Sequence, residues 1–529
     1  MNANLAALLA AQARTRPNAP ALLDPHRTPI TFAALQQQVE AGAALLLDAG
    51  LRVGDRVLVY QPISAELYVA LGALFHMGAT VVFIDPGMRR DQLERAAVRL
   101  APRGFLATPR AHLLRLLSPS IRKIPIRLTV GNWPLPGARR WNERTRRAFA
   151  TIPPMAECGD EAPALITVTS GSTGTPKFVT RTYGFLRRQH QAIDASLAMA
   201  PNTVVATTLP IFILSFLASG ITSLLPNVDL RRPGRIDAAP LLAQIEQAGV
   251  NAIAASPAFL DQITRYCSEH GKTLPQIRQV YSGGAPVFVD LIDQVIATMP
   301  QAAFHAVYGA TEAEPIATLD AATLTLADRQ RMASGGGLLV GKRVDSIDVR
   351  VIPDNWGKPH GPYSGEAWET LSAVEGTGEI VVAGPHVLTE AAYGEDASLT
   401  KITAAHQRWH RTGDAGYWDA NGRLWLMGRC AARIDRTLPD GSAQRLYPFA
   451  VESAAHTFAE VKHAALVEQN ERCILAIELY TPQDETWFAR FQQTLSWAML
   501  DEIRTLKRIP VDKRHNAKID YPALRRLFR

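Results

Sequence analysis

Helical and strand patterns alternate along the first half of this 529-residue chain, and that alternation restricts its fold more than any other feature. "NLAALLAAQAR" (4–14) and "TFAALQQQVEAGAALLLDAG" (31–50) carry apolar residues at helical spacing. "DRVLVYQP" (55–62) reads as a strand, "AELYVALGALFHMG" (65–78) as a helix and "ATVVFIDPG" (79–87) as the next strand. Such αβαβ order predicts mostly parallel sheets covered by helices. It resumes in "NTVVATTLPI", "PLLAQIEQAGV", "NAIAASPAFL", "QVYSGGAPV", "DLIDQVIATMP" and "AAFHAVYGATEAEPI", with glycine and proline at the turns. From Gly335 the grammar changes to short strands, "DSIDVRVIP", "GEIVVAGP" and "AGYWDANGRLWLMGR", the last folded about an Asp-Ala-Asn-Gly turn at residues 419–422. The fold class expected is α/β. It comprises a large N-terminal domain (1–428) with a β-rich subdomain at about 335–428, then a small α+β unit, 429–529, after Arg429.

One loop interrupts the pattern with chemistry. In "TVTSGSTGTPKFV" (167–179) a β-branched run ends in Ser170, Gly171, Ser172, Thr173, Gly174 and Thr175, followed by Lys177. Small residues expose successive N–H groups, the hydroxyls add donors, and a lysine brings positive charge, which together suit a phosphate. The spacing is not that of a Walker A loop. The nearest approach to that pattern, residues 336–342, is followed by Arg343 instead of Ser or Thr and reads as a glycine turn beside a strand.

Composition bounds the alternatives. At 47% hydrophobic and 20% charged residues, the chain is globular with substantial cores. No apolar run reaches the roughly 18 residues of a spanning helix, and the N-terminus lacks a basic signal-peptide region, so a cytoplasmic protein is expected. Four scattered cysteines, Cys158, Cys267, Cys430 and Cys473, form no CxxC pair and read as inert thiols. The formal charge of +7 comes largely from "PSIRKIPIR" through "GARRWNERTRR" and from the C-terminal "TLKRIPVDKRHNAKIDYPALRRLFR". Neither stretch interleaves aromatics or shows helix-turn-helix or zinc-finger spacing. A solvated basic face attracting anionic substrates or a membrane surface is therefore expected in preference to a nucleic-acid site.

Four segments occur in order: "TSGSTGTPK", "YGATEAEPIA" (308–317), "HRTGDAGYWDANGRLWLMGR" (410–429) and "NAKID" (516–520). Together they resemble the acyl-adenylating superfamily of acyl-CoA synthetases, peptide-synthetase adenylation domains and luciferases, over almost the whole chain. The resemblance implies an active site where the large domain meets a mobile C-terminal lid. It implies ATP and Mg²⁺, with Thr169, Ser170, Gly171, Ser172, Thr173, Gly174 and Lys177 holding the β- and γ-phosphates. Glu312, beside Thr311, and Thr173 would bind the Mg²⁺; Gly284, Ala285 and Pro286 with Tyr308 and Gly309 would form the adenine slot. Asp414 would take the ribose hydroxyls, Arg429 would support the ribose and mark the hinge, and Lys518 would be the catalytic lysine.

The acyl acceptor is less constrained: coenzyme A, a carrier-protein thiol, an amine or an internal nucleophile. Where many members carry a gate residue after "LP", this chain reads "LPIFILSFLASG", with Ile213 and Leu214. The hinge position reads Ala431 instead of Asp or Lys, and "RIDRTLPDGSAQRLYPFAVE" replaces the usual glycine-containing segment after it. "VVFIDPGMRR" (81–90), "LPIFILSF", "YSGGAPV" and "YGATEAEPI" resemble the olefin-biosynthesis β-lactone synthetases. That resemblance implies adenylation of a 3-hydroxy fatty acid and ring closure by its own hydroxyl. An acyl-CoA ligase, an acyl-AMP ligase loading a carrier protein, and a non-catalytic nucleotide- or nucleic-acid-binding protein are the alternatives, and pathway enzymes are possible partners. Residues 209–225 would line the alkyl site or simply form core, and Glu314 would face solvent or a polar substrate group.

Overall fold

The computed structural model describes residues 4–25, 28–84, 88, 90–131, 133, 135–145, 151–170, 176–229, 236–372, 376–391, 396–438, 440–512 and 518–528. Two compact units divide the chain: Met1–Asn227 with Ala243–Val250 and Glu390–Ala397, and Val228–Leu242 with Asn251–Thr389 and Ser398–Arg529.

The first unit holds a seven-stranded sheet ordered Arg139–Arg140, Ile126–Thr129, Gly104–Ala107, Arg56–Tyr60, Thr80–Ile84, Pro163–Ser170, Pro176–Thr182. Every pair is parallel except the last. The intervening helices follow from sequence. Thr31 caps Phe32–Asp48 and Ser64 caps Ala65–His76, each accepting from a backbone N–H three residues on. The two helices approach closely because Gly42 and Gly72 lack side chains; a Cβ on Gly72 would lie 2.6 Å from a Val39 methyl. Leu58, Val82, Phe105, Ile166 and Val168 form the core on one sheet face. A second set in this unit pairs Val204–Thr207, Thr222–Leu224 and Pro20–Leu23 in parallel. The segment after Leu209 is the helix Pro210–Ala218; proline at its first turn and seven apolar residues favour that outcome.

In the second unit Ala252–Ala255, Gln279–Gly283 and Ala303–Ala310 are parallel. Antiparallel pairing begins with Ala313–Asp320, upstream of Gly335, because the two residues Thr311 and Glu312 fold the chain straight back. It continues through Leu338–Arg343, Leu424–Arg429, Gln407–Trp418, Gly378–Ala383 and Asp348–Ile352. The Asp419 turn forms as expected, closed by Gly422 N–H donating to the Asp419 carbonyl (3.0 Å) with Gly422 at φ +66. After Arg429 come the hairpin Ile434–Thr437/Ala443–Leu446, the helices Pro448–Ala455 and Glu485–Thr494, and the sheet Val461–Gln469, Arg472–Leu479, Glu502–Thr505. Trp487, Phe491, Val451 and Leu475 fill their core. All four cysteines are buried, and burial holds each thiol above its ordinary pKa.

Candidate active site

Adjacent parallel strands of the second unit end together. Gly283 is in register with Val307, and a Cβ there would sit 2.8 Å from the Val307 carbonyl oxygen, so only glycine permits this backbone approach. Gly284 (φ +80), Ala285 and Pro286 follow the first strand, and Tyr308 and Gly309 end the second. The C-terminal edge of parallel strands is where open α/β sheets bind ligands. A flat backbone beside an aromatic ring is the shape an adenine requires.

Tyr308 Oη donates to Asp414 Oδ2 (2.8 Å), and Arg429 Nη1 donates to Asp414 Oδ1 (3.0 Å) and to the Thr412 carbonyl (3.0 Å). Asp414 and Arg429 face each other across paired strands, which explains their convergence despite fourteen intervening positions. Desolvation, then the Asp414 carboxylate, holds the Tyr308 phenol well above its ordinary value, so it stays a donor. Asp414 foremost raises the Arg429 guanidinium. With the Arg429 side chain 55% exposed, the pair contributes orientation more than stability.

Beneath this triad lies a buried layer that motif reading missed. Thr412 Oγ1 accepts from the Asp414 N–H (3.1 Å). Arg411 makes a two-point ion pair with Glu379 (2.9 and 2.6 Å), both side chains fully buried, and also donates to the Lys358 carbonyl (2.7 Å). Gly413 adopts φ +71, and a Cβ would meet Trp356 at 2.9 Å and Arg429 Nη2 at 3.0 Å. The visible signal was a charged Arg411 beside the Thr-Gly-Asp turn; its partner lies far off in "GEIVVAGP".

Glu312 sits in the turn after Ala303–Ala310, half-buried, its carbonyl accepting from the Leu388 N–H (2.8 Å). Among the described residues no group of three or more His, Cys, Asp or Glu is placed to hold a metal. Mg²⁺ fits Glu312 nonetheless, because this ion takes one or two protein carboxylates and completes its shell with phosphate oxygens and water. Thr311, next to Glu312, is exposed, and Glu314 is half-buried in the following strand.

In the first unit Thr169 and Ser170 end their strand in register with Lys177 and Pro176. Gly171, Ser172, Thr173, Gly174 and Thr175 lie outside the described residues. Lys518 is exposed; its N–H donates to Asp512 Oδ1 (3.1 Å), and its carbonyl accepts from the Asp512 N–H (2.8 Å). Ala431, expected as the hinge position, is exposed in the turn Cys430–Ala432, and the next segment is anchored at both ends. Arg433 and Tyr447 each donate to Asp354 at 2.8 Å.

Residues 9–390 match the AMP-binding enzyme family. The chain is 32% identical to the olefin beta-lactone synthetase of Stenotrophomonas maltophilia (strain K279a), over 98% of this chain and 96% of that protein. It is also 32% identical to the protein of that name from Xanthomonas campestris pv. campestris (strain ATCC 33913 / DSM 3586 / NCPPB 528 / LMG 568 / P 25), with the same coverage. In fold it is similar to the anthranilate CoA ligase AuaEII in complex with anthranoyl-AMP, with a TM-score of 0.82 at 17% identity, over 100% of this chain and 97% of that one. The chain thus belongs to the AMP-binding enzyme family, and it is an AMP-forming ligase that activates its substrate as an adenylate.

Proposed function

We propose that this ligase adenylates a 3-hydroxy fatty acid with ATP and then closes it to a β-lactone through the substrate's own hydroxyl. The observation that carries the reading is 32% identity over nearly the full length of two olefin beta-lactone synthetases. The helix Pro210–Ala218 supports it: it starts at the C-terminal end of the parallel strand Val204–Thr207 and supplies an apolar wall of the kind an alkyl chain needs. The alanine at the hinge is compatible with a second step that admits no thiol.

In the first step a substrate carboxylate oxygen attacks the α-phosphorus, the bond to the departing pyrophosphate breaks, and acyl adenylate forms. Thr169, Ser170, Gly171, Ser172, Thr173, Gly174 and Lys177 hold the β- and γ-phosphates, while Gly284, Ala285, Pro286, Tyr308 and Gly309 receive adenine. Asp414, steadied by Arg429 and Tyr308, accepts from the ribose hydroxyls. Glu312, with Thr311 beside it and Thr173, would hold Mg²⁺, which would supply neutralisation of phosphate charge. Residues 429–529 act as a mobile lid that brings Lys518 to the charge building between two anions, where an ammonium stabilises the transition state more than the ground state. In the second step the 3-oxygen bonds to the acyl carbon, the carbon–oxygen bond to phosphate breaks, the hydroxyl proton is lost and AMP leaves. Proximity takes the place of a second substrate.

Mass spectrometry of products tests this, using plain and 3-hydroxy fatty acids with ATP and Mg²⁺, each with and without coenzyme A. The expected result is AMP and a product one water lighter than the acid, from 3-hydroxy acids only, without coenzyme A. A thioester from plain acids would instead identify an acyl-CoA ligase.

A further inference from the structure

Between residues 101 and 142 the chain carries eight arginines and lysines and no aspartate or glutamate, against a formal charge of +7 for the whole protein. The structure gathers this excess on one flank of the first unit. Arg103 is paired with Asp55 (3.4 Å) and Arg139 with Asp48 (2.6 Å), and Arg140 lies 3.6 Å from Glu143. Among the described residues no carboxylate pairs with Arg110, Arg115, Arg122, Lys123 or Arg127.

Two of these guanidiniums converge. A Cβ on Gly137 would lie 3.5 Å from Arg127 Nη1 and 3.7 Å from Arg115 Nη2. Arg127 spends Nε and Nη2 on the Ile124 and Arg122 carbonyls (2.8 and 2.6 Å). Arg115 Nε is buried with no hydrogen-bond partner. Burial, then the like charge of Arg127, holds the Arg115 guanidinium below its ordinary pKa. Like charges brought together without a carboxylate between them form a site for an anion.

The same flank is apolar where it meets water. Leu113, Leu116 and Leu117 are 57%, 74% and 48% exposed, and their three- and four-residue spacing puts them on one side of the turn. Trp133 is 75% exposed on the neighbouring segment, which lies along the leucine turn: His112 Nε2 is 3.0 Å from the Leu128 carbonyl, and Gly131 packs against Pro109. Exposed leucines and a tryptophan in a stretch that also carries arginines without carboxylate partners are the composition of a protein surface seated at a membrane interface. Leucine makes no hydrogen bond to a phosphate or a base edge. Among the described residues no helix is long and apolar enough to cross a membrane, so the contact is peripheral.

We propose that the face formed by Leu113, Leu116, Leu117 and Trp133, with Arg115 and Arg127 receiving lipid phosphates, docks this protein on an anionic bilayer. This reading is independent of the acyl substrate.

Vesicle flotation of the full-length protein tests it, comparing phosphatidylcholine with phosphatidylcholine–phosphatidylglycerol mixtures. Binding is expected only to the anionic vesicles at low salt, falling at least about tenfold near 1 M salt, where the screening length is ~3 Å. Arg115→Glu with Arg127→Glu, and separately Leu116→Ser with Leu117→Ser, should each lower anionic-vesicle binding at least about tenfold. Both double variants should keep wild-type ATP–pyrophosphate exchange, which shows them folded. The proposal is overturned if wild-type protein ignores anionic vesicles, including when it binds RNA instead. It is equally overturned if a folded double variant floats like wild type, or if millimolar glycerophosphate abolishes vesicle binding and so reveals a site for free phosphate.

Discussion

Asp414 illustrates how little of a residue's role lies in its own side chain. Its carboxylate is aimed by Tyr308 and Arg429, its N–H is held by Thr412, and the glycine before it has no room for a Cβ. Gly413→Ala forces a left-handed backbone onto alanine and drives a methyl into Trp356, so the KM for ATP should rise at least about tenfold with a smaller change in kcat. Steady-state kinetics would show it, and an unchanged KM would remove the turn from nucleotide binding. Lys518→Ala should slow pyrophosphate release by about two to four orders of magnitude while ATP affinity hardly changes. Full retained exchange activity would exclude Lys518 from the chemistry. For Glu312→Gln the expected effect is a shift of the Mg²⁺ activation curve to higher concentration, read by titrating Mg²⁺ at fixed ATP.

At the scale of elements, the strand Gln407–Trp418 connects surface chemistry to core. Asp414 lies partly buried within it, and Arg411, three residues earlier, is locked into a fully buried pair with Glu379 on the neighbouring strand. Burial is the main influence on Glu379 and raises its pKa, with Arg411 opposing it. Removing one partner strands a buried charge, which costs about 3–5 kcal/mol. Glu379→Gln should therefore lower stability by that amount in denaturant melts and weaken ATP binding through the adjoining turn. A variant as stable as wild type would mean that water reaches Arg411.

At the scale of the whole molecule, pH acts on stability through groups remote from the site. Glu452 is buried, accepts from the Leu466 N–H (2.9 Å) and Tyr521 Oη (2.7 Å), and burial raises its pKa from 4.5 to about 7. A raised carboxyl favours folding most below its unfolded pKa. Stability should then fall between about pH 4.5 and 7 and level off above, by at most about 3 kcal/mol. His463 opposes it on the acid side, since burial lowers its pKa from 6.5 to about 4 and stability declines as pH falls through that interval. Glu452→Gln should melt higher than wild type at pH 8 and no higher at pH 5; equal melting temperatures at pH 8 would mean that Glu452 ionises freely.

The sequence by itself determined the local elements and the family. Helices and strands are set by apolar periodicity and caps, as in Phe32–Asp48 behind Thr31, and the four ordered segments mark the family. Both are local properties, written in contiguous residues. Only the tertiary structure decided that Asp414 and Arg429 meet across two strands, that Glu379 neutralises Arg411, and that Arg115 and Arg127 converge beside Gly137. Strand register and long-range pairing establish those contacts, and no period or motif within a short window encodes a partner thirty residues away. The turn at Thr311 and Glu312 lies between these cases: its residues stand in a legible family segment, whereas the reversal to antiparallel pairing they create was visible only in the folded sheet.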